Sequence, residues 1–206
     1  MKSKDHWQQV YTSKAADSVS WYQPHISVSL ELIRRTGVST EASIIDVGGG
    51  ASTLVDDLLA AGFDRVAVLD ISDAGLEVAR QRLGECASEV SWIEADITTV
   101  QLPEQEYDVW HDRAVFHFLT TEQARRQYLQ AVRRSVKPGG FVIIGTFAED
   151  GPEHCSGLPV QRYSAESLYG EFGASFELLG RASEDHQTPA GSIQKFLYCY
   201  CRKVGN

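Results

Sequence analysis

Positive charge is scarce in this sequence: 19 Lys and Arg face 28 Asp and Glu in 206 residues, giving a formal net charge of -9 and a pI near 5.1. No basic stripe is present, which argues against nucleic acid as a partner. A cationic substrate suits the charge, but so does ordinary acidity. Long apolar runs are absent too, so no membrane span is expected. The first residues, MKSKDHWQQVYTSKAADS, have no apolar h-region, so no secretory signal is expected. The four cysteines form no CxxC pair, and His154 and Cys155 are adjacent with no spaced second pair, so no metal site is expected. Cys199 and Cys201 are two apart and in a strand would share a buried face. These features together imply a cytoplasmic chain with reduced thiols. Internal repeats and low-complexity tracts are missing, and nothing signals an oligomer, so a monomer is the default.

What is present is an ordinary core-forming mix, 43% hydrophobic and 23% charged, enough for one domain over residues 1–206. Short β-branched runs alternate with amphipathic stretches. SIIDV (43–47), RVAVLDIS (65–72), VSWIEADI (90–97), YDVWHD (107–112) and FVIIGTF (141–147) read as strands. Ser52–Leu59, Ala74–Leu83, Glu122–Val136 and Ala165–Phe172 read as helices, and KPGG (137–140) as a turn. SFELLGRAS (175–183) and SIQKFLYCY (192–200) add two late strands in succession. The alternation predicts an α/β core over 41–206, a doubly wound Rossmann-like sheet with helices on both faces, closed by an antiparallel edge pair. Residues 1–40 carry four aromatics in HWQQVYTSKAADSVSWYQPH and read as a helical arm over the mouth of the sheet; the alternative is a helix packed on its back.

The stretch IIDVGGGAS (44–52) lies just past the first strand, where open parallel sheets bind ligands. Gly48 and Gly50 permit a tight bend and close approach of a ligand. Asp70 ends the second strand, 24 residues after Asp46, an offset that suits the two hydroxyls of a ribose. Asp96 in EADI stands where an adenine amino group could be met, and Asp112 ends the fourth strand. The DxGxGxS pattern also fits dinucleotide folds. A dehydrogenase would more often place a third glycine where Thr53 stands, and would need a second mononucleotide half.

Taken together, DVGGGAS, VLDIS, EADI, YDVWHDRAVFHFL and KPGG resemble the class I S-adenosylmethionine-dependent methyltransferases, from about Ile44 to Tyr200. The resemblance implies a seven-stranded sheet, mostly parallel with an antiparallel last strand. It implies that Asp46, Gly48, Gly49 and Gly50 cradle the methionine part of S-adenosylmethionine, that Asp70 with Ile71 holds the ribose, and that Asp96 and Ile97 take the adenine. Where many members have glycine this sequence has Ser52, whose hydroxyl either bonds the cofactor carboxylate or caps the next helix. HWQQVY, WYQP and the segment after strand four are similar, more narrowly, to seven-β-strand lysine methyltransferases, in which an aspartate-lysine-glycine motif stands where this chain reads Asp112-Arg113-Ala114.

The implied chemistry is in-line methyl transfer from a sulfonium, which calls for positioning and a dry, aromatic surround. Trp7, Tyr11, Trp21 and Tyr22 are lid candidates, with Trp7 and Tyr11 against the cofactor and Trp21 the one expected to turn into the core. HDRAVFHFL (111–119) is the substrate side. Asp112 is a candidate for holding an ammonium or the methionine amino group, Arg113 for pairing with Asp112 or a substrate carboxylate, and His117 for general base or a structural role. His111 should face away from Asp112. The long loop 148–164 is expected to shape the acceptor pocket through Leu158, Arg162 and Tyr163; its Cys155 also raises a metalloid acceptor. The acceptor is read as an N, O or S nucleophile of a small molecule or a protein lysine. A catalytically inactive cofactor-binding module and a nucleotide-dependent oxidoreductase are the rival classes.

Overall fold

A computed structural model describes residues 2–205. Its centre is one seven-stranded sheet. The strands are β1 (Ser43–Val47), β2 (Arg65–Asp70), β3 (Val90–Glu94), β4 (Tyr107–Arg113), β5 (Val136–Phe147), β6 (Phe176–Gln187) and β7 (Ile193–Lys203). Their order is β3-β2-β1-β4-β5-β7-β6. The first five run parallel, and β7 lies antiparallel to both β5 and β6. The sequence thus predicts the layout, and every predicted strand is present.

Burial explains the central strands. All five residues of β1 are buried, as in a strand covered on both faces. Alternate residues feed two cores: Ile45, Val47 and Trp110 one, Ile44, Val109 and Ile143 the other. The helices are α1 (Lys2–Ser13), α2 (Ser27–Arg35), α3 (Leu54–Ala60), α4 (Asp73–Leu83), α5 (Glu122–Ser135) and α6 (Ala165–Phe172). Side chains fix several starts. Ser72 accepts from the Gly75 N–H at α4, Thr121 from the Ala124 N–H at α5, and Ser164 and Ser167 form a reciprocal box at α6.

Some boundaries differ from the sequence reading. KPGG is not a free turn: it belongs to β5, where Tyr107 pairs with Val136 but Val109 pairs with Phe141. Five residues of β5 span two of β4, and Gly139 at φ +76° absorbs the excursion. Strand β3 stops at Glu94, so Asp96 lies in the turn beyond it. The N-terminal forty residues divide their roles. The first helix reaches the sheet mouth, whereas α2 buries Leu32 and Ile33 in a core and lies on the sheet's flank. Among the described residues no helix is long and apolar enough to cross a membrane.

Candidate active site

The strand order reverses between β1 and β4, and a cavity of about 310 Å³ opens at the carboxyl ends of the strands on either side of that point. Its floor is made by Val47 and Gly48 after β1, Leu69 to Ile71 at β2, Ala95 to Thr98 after β3, and Arg113 to Val115 at β4. Trp7, Tyr11 and Trp21 from the N-terminal arm close it, with Phe118, Leu119 and Cys155. Trp7 meets Trp21 and Phe118 edge-on, with ring centres 5.6 and 5.2 Å apart. Trp21 packs against the second core, as expected, and also lines the cavity, where its edge meets Trp7.

The glycine turn is shaped by close neighbours. Gly48 has φ +73°, and a Cβ there would stand 1.9 Å from a Val115 methyl. A Cβ on Gly50 would stand 2.6 Å from the Tyr11 hydroxyl and 2.8 Å from Asp70 Oδ2. Only glycine lets the turn, the carboxylate and the lid tyrosine converge. Helix α1 is pinned in place: the Gln8 side-chain oxygen accepts from the Ser72 hydroxyl at 2.9 Å and from the Ala74 N–H at 3.3 Å.

Asp70 sits deep in the cavity. Its Oδ1 accepts from the Ser72 N–H at 2.8 Å. Burial, opposed by that bond and reinforced by the charge of Asp46, raises its pKa to about 7. Burial and the Asp70 charge push Tyr11 well above its ordinary value, so it stays a neutral phenol. Asp96 Oδ1 accepts from the Thr98 N–H at 2.9 Å and the Thr98 hydroxyl at 2.7 Å, while Ile71 and Ile97 supply apolar walls.

A pH dependence follows. A ribose bound at Asp70 would donate its hydroxyls to a carboxylate, so such binding would favour ionised Asp70. S-Adenosylhomocysteine affinity, followed by calorimetry, should be level above about pH 7 and fall below it, at most about tenfold per pH unit for one proton. The raised value has the opposite consequence for the empty fold. Its contribution to stability is full near pH 4 and lost as pH rises through about 7. Level affinity from pH 8 to pH 5.5 would contradict this role for Asp70.

Other predicted residues lie elsewhere. Asp46 is buried under the glycine turn and outside the cavity lining. His111 Nδ1 bonds its Oδ1 at 2.7 Å, and His111 Nε2 bonds Ser29 Oγ at 2.8 Å. A Cβ on Gly49 would stand 2.6 Å from Asp46 Oδ2, so the carboxylate fills the space below the turn. Ser52 faces a small separate void beside Asp46 and accepts from the Leu54 N–H at 3.2 Å. Thr53, not Ser52, holds the N-cap position of α3.

Asp112 requires correction. Its carboxylate accepts from the Val115 N–H at 2.8 Å, the Phe116 N–H at 3.0 Å and the Tyr128 hydroxyl at 2.7 Å. Both oxygens are engaged, and the residue is fully buried outside the cavity lining, out of reach of an ammonium there; burial raises its pKa to about 7 despite these bonds. It does not pair with Arg113. For His117 the structural alternative fits and the general-base one does not: it is fully buried between Phe118 and Phe147, and burial lowers its pKa to about 3. Of the 148–164 loop, Cys155 lines the cavity, whereas Leu158, Arg162 and Tyr163 do not. Ser156 and Gly157, at φ +52° and +80°, make the tight turn beside it. Burial pushes its thiol to about 12, so it is protonated. Among the described residues no group of three or more His, Cys, Asp or Glu is arranged to hold a metal.

A polar cluster escaped the sequence reading. Arg113, Gly145 and Tyr198 are register partners across β4, β5 and β7. A Cβ on Gly145 would stand 2.6 Å from the Tyr198 ring, so its absence lets the tyrosine cross toward Arg113. Arg113 Nε donates to the Tyr198 hydroxyl at 2.9 Å, and that hydroxyl donates to Glu184 Oε2 at 2.6 Å. Gln23 bonds both Glu184 and His186, and His186 Nε2 donates to the Ser20 carbonyl at 2.7 Å. The signal was faint: a glycine inside the apolar run FVIIGTF, and the polar run SEDHQ (183–187) reaching past the predicted end of a late strand.

Residues 44–140 match the family model described as a methyltransferase domain. The chain is 20% identical over 143 residues to the eEF1A lysine and N-terminal methyltransferase of Mus musculus, covering 69% of this chain and about a fifth of that protein's length. An enzyme structure from echinomycin biosynthesis, described as converting a disulfide bond into a thioacetal group, superposes with a TM-score of 0.78 at 16% identity, over 99% of this chain and 93% of that one. The N-methyltransferase NodS from Bradyrhizobium japonicum, bound to S-adenosylhomocysteine, superposes with a TM-score of 0.73 at 18% identity, over 98% and 100%. The fold of these solved structures is shared throughout. The chain thus carries a methyltransferase-domain match over residues 44–140 and, along nearly its whole length, the fold of the S-adenosylhomocysteine-bound N-methyltransferase NodS.

Proposed function

We propose that this protein transfers the methyl group of S-adenosylmethionine to a small-molecule nucleophile held beneath the N-terminal arm. S-Adenosylmethionine supplies the methyl as a sulfonium electrophile. The chain's task is to orient it and keep water out. Asp70 takes the ribose hydroxyls, Asp96 and Ile97 meet the adenine with Ile71 beside it, and the turn Gly48–Gly50 receives the methionine portion. Asp46, tied to His111, supports the turn from below as a positioning residue. Asp112 fixes the β4 exit, and His117 packs the substrate loop from behind.

The observation that carries the small-molecule reading is the closed lid. Trp7, Tyr11 and Trp21 are cavity walls, and Gln8 bonds the start of α4. A protein lysine would need an open groove there. The similarity to eEF1A lysine and N-terminal methyltransferases favours a protein acceptor as the second reading. Incubating a cell lysate with methyl-labelled cofactor separates them. Label should enter the low-molecular-mass fraction; label confined to protein bands would reverse the assignment.

A further inference from the structure

We propose that Arg113 is the anchor for a carboxylate on the methyl acceptor, so that the acceptor is a small organic acid whose nucleophile lies apart from its acid group. This rests on the small-acceptor reading above. Arg113 lines the cavity at its β4 side, across the glycine turn from Asp70 and Asp96. The far end from the nucleoside is therefore the end this guanidinium faces.

Its bonding is incomplete for so buried a cation. The side chain is 7% exposed, and Glu184 beside it is 11% exposed. Nε makes one firm bond, to Tyr198 at 2.9 Å. The Nη groups have only contacts at 3.4 Å, to Glu184 Oε2 and to the Trp21 carbonyl. Those lengths lie beyond the range of strong N–H···O bonds. Glu184 is shared: Oε2 also accepts from Tyr198 and Oε1 from Gln23. The Phe196 ring covers one face of the guanidinium, 4.1 Å from its carbon, leaving the in-plane N–H edge for a ligand.

A guanidinium edge matches a planar carboxylate in a two-pronged bond, which an ammonium or a neutral acceptor cannot offer. The neighbouring Trp21, Val115 and Phe118 are apolar and would strengthen that bond by excluding water. Glu184 has two opposed effects. It holds the guanidinium in place, and its charge resists a second anion. Removing that charge therefore distinguishes an anion anchor from a merely structural ion pair.

The test uses the full chain saturated with S-adenosylhomocysteine, titrated calorimetrically with benzoate, phenylacetate and the matched amines benzylamine and phenethylamine. The acids should bind and the amines should not. Arg113→Lys keeps the charge but loses the fork, and should weaken the acids about tenfold or more while S-adenosylhomocysteine affinity stays within about twofold. Glu184→Gln should tighten the acids severalfold. No binding by either acid, preference for the amines, or weaker acid binding in Glu184→Gln overturns the proposal. Label entering small molecules while these acids fail to bind would sink this inference and leave the small-acceptor reading standing; label entering only protein would remove that reading itself.

Discussion

Asp70→Ala should weaken S-adenosylhomocysteine binding by about 1–3 kcal/mol, a roughly 5- to 150-fold rise in Kd, and reduce methyl transfer in step at sub-saturating cofactor. The cause is local. One oxygen of Asp70 is committed to the Ser72 N–H, and the other stands beside the glycine turn and Tyr11. With the ribose at Asp70, as proposed, removing the carboxylate would leave its hydroxyls unpaired in a cavity lined largely by apolar walls and the arm. The fold should survive, because an empty chain at neutral pH is relieved of a desolvated charge. Thermal unfolding without ligand should show no loss of stability. An unchanged Kd would mean that the nucleoside lies elsewhere.

The second large effect is on stability. Asp112→Ala should cost at least about 3 kcal/mol in urea denaturation, since three buried donors lose their acceptor at about 1–3 kcal/mol each. Those donors are the Val115 and Phe116 N–H groups and the Tyr128 hydroxyl, which also accepts from the Trp110 indole at 2.9 Å. The bonds tie the exit of β4 to α5. Molecules that remain folded should still bind S-adenosylhomocysteine, because Asp112 does not line the cavity. A stable variant that has lost only turnover would restore Asp112 to the acceptor site.

Periodicity and turn chemistry made the sheet legible. Buried parallel strands declare themselves as β-branched runs, and Gly84 after α4 stops the helix at φ +58° as the sequence suggests. That Asp70 and Asp96 share one cavity was legible for a related reason. Asp70 and Asp96 stand at or just past strand ends, and strand ends face one crevice. Asp112 also ends a strand, yet the chain turns back over it and consumes its oxygens. Nothing in the linear order reveals that the N–H groups three and four residues on will fold onto it. His117 was open to both readings for the same reason, since burial between two phenylalanines is a tertiary fact. The Arg113 cluster joins residues 23, 113, 184, 186 and 198, and pairing across such separations has no local trace.

Gln23 meets His186 across 163 residues of chain. Arg113 likewise reaches Tyr198 on the last strand, 85 residues on. During synthesis on the ribosome, the early strands and glycine turn can assemble long before these partners emerge. The segment carrying Trp21 must then wait, unfastened, until the final hairpin has docked. The nascent chain should thus bring the Asp70 and Asp96 strand ends together first and fasten the arm over them last, a delay rooted in the entropic cost of distant loop closure.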